Sequence, residues 1–318
     1  MSIVFFGTPM FAVPSLKALY ESGEEIAAVV TRRDSLAGRA GRGKEKILKS
    51  PPVKEAALRY GLRVLQPATL KDREVVEELK SYFPEFLVVA AYGKILTEEI
   101  LSIPRIAPVN VHASLLPQLR GASPIARAII TGLQETGVTT MLMEKGLDTG
   151  DILLIEKTVI RREDDAGSLS ERLAEIGAAL LLKTLTGMRE GTVKPRPQEG
   201  QASYSPPLRK EEGLINWQQT AGELFNFVRG MSPWPGAYFF LGGERIKILK
   251  VETRDGGGVP GEVAKARGEL LVGTGKGLLA LVTVQPEGKK PMPSQAFLQG
   301  RMIKEKDVLN GVAQDIKK

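Results

Sequence analysis

The chain has 318 residues, 42% hydrophobic and 25% charged, a globular composition whose length suits two domains better than one. It holds no cysteine and a single histidine, His112, which excludes disulfides, a thiol nucleophile and the usual zinc ligand sets, so no metal is expected. Its 44 Lys and Arg against 37 Asp and Glu give a net charge of +7 and a pI near 9.4, which raises the question of a polyanionic partner such as nucleic acid.

Residues 1–7 have neither a basic start nor a small-residue cleavage site, and read as a buried strand rather than a signal peptide. No apolar run nears the roughly 18–20 residues that span a bilayer. A cytoplasmic protein with no membrane contact is the expectation. Short apolar runs at 3–6, 26–30, 86–90 and 109–111 predict buried strands. Helical spacing predicts helices over 11–20, 53–60 and 74–82 between them. That alternation predicts βαβ units and a parallel sheet. A longer helix is predicted over 168–189, opened by Ser168-Leu169-Ser170-Glu171 as a capping box, with Leu169, Leu173, Ile176 and Leu180 at helical spacing. The stretch 187–207 is rich in Gly, Pro and Gln and reads as an extended linker. Beyond it a helix over 221–231 precedes short strands at 237–241, 245–251, 261–265, 270–272 and 278–284, which predict a small OB-like barrel.

Charge is uneven along the chain. Residues 31–54 carry eight basic side chains against Asp34 and Glu45, and residues 208–318 carry 17 basic against 12 acidic. Two phosphate-binding patterns fail on inspection. The run from Gly38 to Lys44 has phosphate-loop spacing, but Glu45 stands where a Ser or Thr would hold magnesium. Gly7-Thr8-Pro9 lacks the later glycines of a dinucleotide fingerprint, and Pro9 removes an amide donor, which argues against NAD.

The informative stretch is 108–117. Asn110 and His112 are two apart on a predicted strand, so they face one side at its C-terminal end, where open α/β sheets bind ligands. An amide beside an imidazole suits an oxyanion. On spacing alone, a histidine simply satisfied at a strand end explains the pattern equally well. In Gly146-Leu147-Asp148-Thr149-Gly150-Asp151 an acidic residue could orient an imidazole and keep it protonated, although a solvated turn is the simpler account of that segment by itself.

Taken together, Asn110-x-His112-x-Ser114-Leu115-Leu116-Pro117-x-x-Arg120-Gly121, Glu135-Thr136-Gly137-Val138-Thr139 and Leu147-Asp148-Thr149-Gly150-Asp151 resemble the formyltransferases that use 10-formyltetrahydrofolate. Phe6-Gly7-Thr8-Pro9-x-Phe11-Ala12, Ile215-Asn216-Trp217 and Ser232-Pro233-Trp234-Pro235-Gly236-Ala237 extend the resemblance over nearly the whole chain. It implies a Rossmann-like α/β formyltransferase domain over 1–189, a linker over 190–207 and a tRNA-binding β-barrel domain over 208–318. It implies catalytic roles for Asn110, His112 and Asp148, and a folate pocket at Ser114, Leu115, Leu116 and Pro117, with Tyr92 and Gly93 on the pterin side. Family members acting on tRNA carry an insertion after the second strand, and Gly41, Arg42, Gly43 and Lys44 match its core. The implied partners are therefore 10-formyltetrahydrofolate and initiator methionyl-tRNA, served by a monomeric enzyme. In the expected chemistry, Asn110 and a protonated His112 donate to the tetrahedral oxyanion, each worth roughly 3–4 kcal/mol. A transferase for a small amine would share this trio but would not need the basic insertion. A non-enzymatic RNA-binding protein would leave the trio idle.

Overall fold

The computed structural model describes residues 2–37, 47–301 and 303–309. The chain divides into two compact units, one of Met1–Pro124, Glu135–Val159 and Ser170–Ser205, the other of Ile125–Gln134, Ile160–Leu169 and Pro206–Lys318. The expected insertion residues Gly41, Arg42, Gly43 and Lys44 lie outside the described residues.

In chain order the first part runs β1 (Ser2–Gly7), α1 (Val13–Glu21), β2 (Glu25–Val30), β3 (Ser35–Ala37), β4 (Ile47–Lys49), α2 (Pro52–Arg59) and β5 (Val64–Leu65). It continues with α3 (Arg73–Ser81), β6 (Phe86–Ala90), α4 (Glu98–Leu101), β7 (Ala107–His112), β8 (Arg120–Gly121) and α5 (Pro124–Ile130). Then come β9 (Glu135–Leu142), β10 (Ile152–Val159), α6 (Ala166–Arg189) and β11 (Tyr204–Ser205). A seven-stranded sheet has the order β10-β9-β7-β6-β1-β2-β5. The five strands from β7 to β5 are parallel, as the alternation of strands and helices predicts. The sheet is mixed, however, because β9 lies antiparallel to β7 and β10 antiparallel to β9. β1 and β6 are buried along their whole length, which is why both read as continuous apolar runs. Val4, Phe6, Val30, Leu87, Val89 and Tyr92 share one core with Val76 and Leu79 of α3.

The long helix starts earlier than expected. Asp165 Oδ1 accepts from the Ser168 amide at 2.9 Å, and Ser168 Oγ accepts from the Asp165 amide at 3.1 Å. The reciprocal cap is thus Asp165 with Ser168, and the Ser168–Glu171 pattern lies inside the helix. α6 then crosses β7 closely at Gly177, where a Cβ would sit 2.8 Å from Val111 Cγ1. The segment read as a linker is extended but well bonded: Arg196 pairs with Ile152, and β11 adds in parallel to β8.

The second unit contains α7 (Ala221–Gly230), β12 (Ala237–Leu241), β13 (Glu244–Arg254), β14 (Val263–Lys265), β15 (Leu270–Gly273), β16 (Leu278–Pro286), β17 (Met292–Pro293) and α8 (Ser294–Gln299). The strands form one antiparallel sheet in the order β12-β13-β16-β15-β14, with β17 on β16. Register shifts between Ile248 and Val251 bend β13 against β16. α7 is opened by a Thr220–Glu223 capping box, and its Leu224 and Val228 join a core with Trp217, Phe239, Ile246 and Leu281. Among the described residues, no helix is long and apolar enough to cross a membrane and no cluster of side chains suits a metal ion.

The approach of α6 to β7 yields a prediction. Gly177→Val overpacks against Val111, between the two residues singled out on β7, and is expected to destabilise the protein by about 1–3 kcal/mol. Chemical denaturation measures this, and an unchanged midpoint would contradict the packing described.

Candidate active site

β7, inside the mixed sheet between β9 and β6, delivers Asn110 and His112, both nearly enclosed at 8% and 5% exposure. Their partners on β9 are Met141 and Thr139. The Asn110 amide makes no hydrogen bond among the described residues, so its donors are available to a ligand. Thr139 holds the loop that follows β7. Its hydroxyl donates to the Ser114 carbonyl at 2.7 Å and accepts from the Leu116 amide at 3.2 Å. Ser114 Oγ donates to the Gln118 carbonyl at 2.6 Å. The 114–117 turn is thereby fixed before any ligand arrives.

The imidazole of His112 is gripped from both sides. Nε2 lies 3.1 Å from the Leu119 carbonyl, a separation that requires a hydrogen between them, so Nε2–H donates to it. Nδ1 lies 3.6 Å from Asp148 Oδ2, an ion-pair separation too long for a hydrogen bond. Burial pushes the His112 pKa below its ordinary value. The Asp148 carboxylate and the Leu119 carbonyl pull it upward without offsetting the burial. Asp148 thus acts in the expected direction, while burial works against the expected protonated imidazole.

Asp148 sits at φ +52°, a left-handed conformation that Asp tolerates better than most residues. Its Oδ2 accepts from the Gly121 amide at 2.7 Å. Gly121 has φ +116°, and a Cβ there would fall 2.8 Å from the Ser205 carbonyl oxygen, so only glycine brings this amide to the carboxylate while pairing with β11. Ser203 Oγ accepts from the Leu119 amide at 2.9 Å, and Ser205 Oγ donates to the Leu119 carbonyl at 3.0 Å. The same carbonyl receives His112.

Sequence reasoning gave no role to Gln198, Ser203 or Ser205. Gln198 Nε2 donates to the carbonyls of Asp148 and Gly150, both at 2.8 Å, and its Oε1 accepts from Arg120 Nε at 3.1 Å and Nη2 at 2.7 Å. A single glutamine inside a Pro- and Gly-rich stretch offers no pattern that would have marked it.

The expected folate-pocket residues fall in two groups. The Ser114 and Leu116 side chains are buried, the latter against Met141 and Ile152, while Leu115 and Pro117 are half-buried. The Tyr92 side chain faces the core, edge-on to Phe6 with ring centres 5.4 Å apart. Burial raises its pKa to about 12. Any ligand contact at this turn therefore falls to its backbone and to Gly93, whose carbonyl accepts from Arg32 at 3.1 Å. The Tyr92 carbonyl accepts from Thr8 Oγ1 at 3.0 Å, which ties the turn to the end of β1.

Residues 1–185 match the Formyl transferase family model, and residues 207–302 match the Formyl transferase, C-terminal domain model. The chain is 51% identical to the methionyl-tRNA formyltransferase of Thermodesulfovibrio yellowstonii, over 95% of this chain and 97% of that one. It is 47% identical to that of Caldanaerobacter subterraneus subsp. tengcongensis, over 97% of this chain and 100% of the relative. Among solved structures it resembles WlaRD, a sugar 3N-formyl transferase, with a TM-score of 0.67 and 19% identity over 91% of this chain and 99% of that one. It also resembles Aquifex aeolicus HypX in complex with tetrahydrofolic acid, with a TM-score of 0.63 and 17% identity over 93% of this chain but only 46% of that longer one. At these identities the two structural likenesses speak for the fold alone. With both halves matched by the family models and a relative half identical along almost its full length, the chain belongs to the methionyl-tRNA formyltransferase family.

Proposed function

We propose that this chain transfers the formyl group of 10-formyltetrahydrofolate to the α-amino group of methionine on initiator methionyl-tRNA, with Asn110, His112 and Asp148 as the reacting side chains. The observation that carries the site assignment is the buried His112 held between the Leu119 carbonyl and Asp148, beside an Asn110 amide with free donors. The common name of the relatives supports the substrates.

The chemistry follows from these positions. The amine nitrogen attacks the formyl carbon, forming the new C–N bond and placing charge on the formyl oxygen. The Asn110 amide donates to that oxygen. His112 Nδ1 accepts the proton released by the amine. Asp148 stabilises the imidazolium that results. Collapse breaks the bond to the folate nitrogen N10, which takes the proton from Nδ1 and leaves as tetrahydrofolate. A neutral histidine thus serves first as base and then as acid, and no net proton is gained or lost.

In this reading the folate lies against the 114–117 turn and the Tyr92–Gly93 backbone. The insertion residues Gly41, Arg42, Gly43 and Lys44 meet the acceptor end of the tRNA, and the basic 208–318 segment adds phosphate contacts. Division into a catalytic domain, a connecting segment and a tRNA-binding domain belongs to the same proposal, as do a monomeric acting form and action in the cytoplasm.

The direct test is transfer of labelled formyl to initiator methionyl-tRNA, with uncharged tRNA and free methionine as controls. Label on free methionine would overturn the substrate assignment. His112→Ala is expected to lower kcat about 10²–10⁴-fold, and near-normal turnover would remove His112 from the mechanism. Because the base must be neutral, the acid limb of kcat/KM is expected below pH 6.5, the ordinary histidine value. Asp148→Asn removes the upward pull on His112 and should move that limb to still lower pH. An upward shift would contradict the electrostatics.

The insertion is tested separately from the chemistry. Arg42→Ala is expected to lower kcat/KM for initiator methionyl-tRNA about 5–150-fold, the range of one arginine contact to nucleic acid. Folate affinity, followed by fluorescence, should not change. Normal tRNA kinetics, or a loss of folate affinity instead, would contradict the assignment.

A further inference from the structure

Two partners from outside hold the loop bearing Asp148, which also closes on itself through Thr149 and Glu144. The Asp148 carboxylate accepts from the Gly121 amide at 2.7 Å, and the loop backbone is held by Gln198, whose amide donates to the Asp148 and Gly150 carbonyls at 2.8 Å each. Gln198 is in turn fixed by Arg120, which donates to its Oε1 from both Nε and Nη2. Arg120 immediately precedes Gly121, so the four residues close a ring: Gly121 to Asp148, Asp148 to Gln198, Gln198 to Arg120, and Arg120 back to Gly121 along the chain. The glutamine uses both amide hydrogens and receives two hydrogens on its oxygen. Glutamate cannot replace it, having no donor for the two carbonyls, and asparagine is one carbon shorter. The held residue has a left-handed φ of +52°, which a free loop would readily leave.

We propose that Gln198 is a positioning residue for the formyl transfer, holding the Asp148 carboxylate against His112 through the backbone of the 148–150 loop. The inference rests on the assignment of Asp148 and His112 given above. It adds a determinant from a segment that carries no chemistry of its own. Gln198 touches no reacting atom. Without it, Asp148 keeps the Gly121 amide on Oδ2 but loses the backbone restraint that supports its 3.6 Å separation from Nδ1.

The test uses the full-length protein with Gln198→Leu and Gln198→Met, two neutral changes of similar size. Both should lower kcat about 10–100-fold, the scale of a small misplacement in a catalytic site, with KM for 10-formyltetrahydrofolate changed by no more than about 2-fold. Because His112 is the only histidine, its imidazole NMR titration reads the local geometry without assignment. Its pKa should fall below the wild-type value in both variants, since a displaced carboxylate raises it less. In an Asp148→Asn background, Gln198→Leu should add less than about a 2-fold further loss, as expected for residues acting through one unit. Folded variants with wild-type kcat and an unchanged His112 titration would overturn the proposal. Failure of both variants to fold would overturn it too, by giving Gln198 a purely structural part. Absence of formyl transfer by the wild type would instead strike the functional reading, while the titration comparison would still judge the positioning role.

Discussion

A buried imidazole caught between a carbonyl and a carboxylate is the constraint on which the rest of the site depends. His112 has one nitrogen committed to the Leu119 carbonyl and the other facing Asp148. Burial lowers the basicity of the ring, and the carboxylate restores part of it. The proposed mechanism uses that balance: Nδ1 is the site that takes a proton, and the cation is stabilised by Asp148 as soon as it forms. Neither effect alone would give that: an exposed histidine would lack the shield from water, and a buried one without Asp148 would resist taking the proton.

Much of the surrounding fold can be understood as support for this balance. β7 brings the histidine into the sheet between the buried apolar β6 and the largely enclosed β9. β8, which directly follows Leu119, supplies the Gly121 amide, and it is held in place by pairing with β11. β9 runs back beside β7, and its Thr139 secures the 114–117 turn on the other side of the histidine. Each of these contacts joins residues distant in sequence, so the site assembles only once the sheet and the 190–205 segment are in place.

The chain itself announces the parallel strands, because burial on both faces demands unbroken apolar runs such as those at 3–6 and 86–90. It does not announce β9 or its reversed direction, since Glu135-Thr136-Gly137-Val138-Thr139-Thr140 offers no unbroken apolar run. The helix cap was misplaced because Ser168-Leu169-Ser170-Glu171 has the form of a cap three residues inside the real one, made by Asp165 and Ser168. Tyr92 reads as a pocket residue from its motif, but its ring turns into the core. Asn110, His112 and Asp148 stand out through their motifs, and the structure does bring His112 and Asp148 together. The protonation state of the pair could not be read from them, because it depends on burial that only the folded chain creates. Gln198 was hidden for a related reason: its function lies in reaching two carbonyls nearly 50 residues away, and nothing local encodes that reach.

The central claim is that the resting enzyme holds a neutral His112 with its proton on Nε2. Nitrogen-15 NMR of the imidazole, in wild-type protein at pH 7 without ligands, tests it most directly, because no other histidine contributes signals. The account predicts a protonated, hydrogen-bonded Nε2 and an unprotonated Nδ1. An imidazolium at that pH, or a neutral ring with its proton on Nδ1, would contradict it.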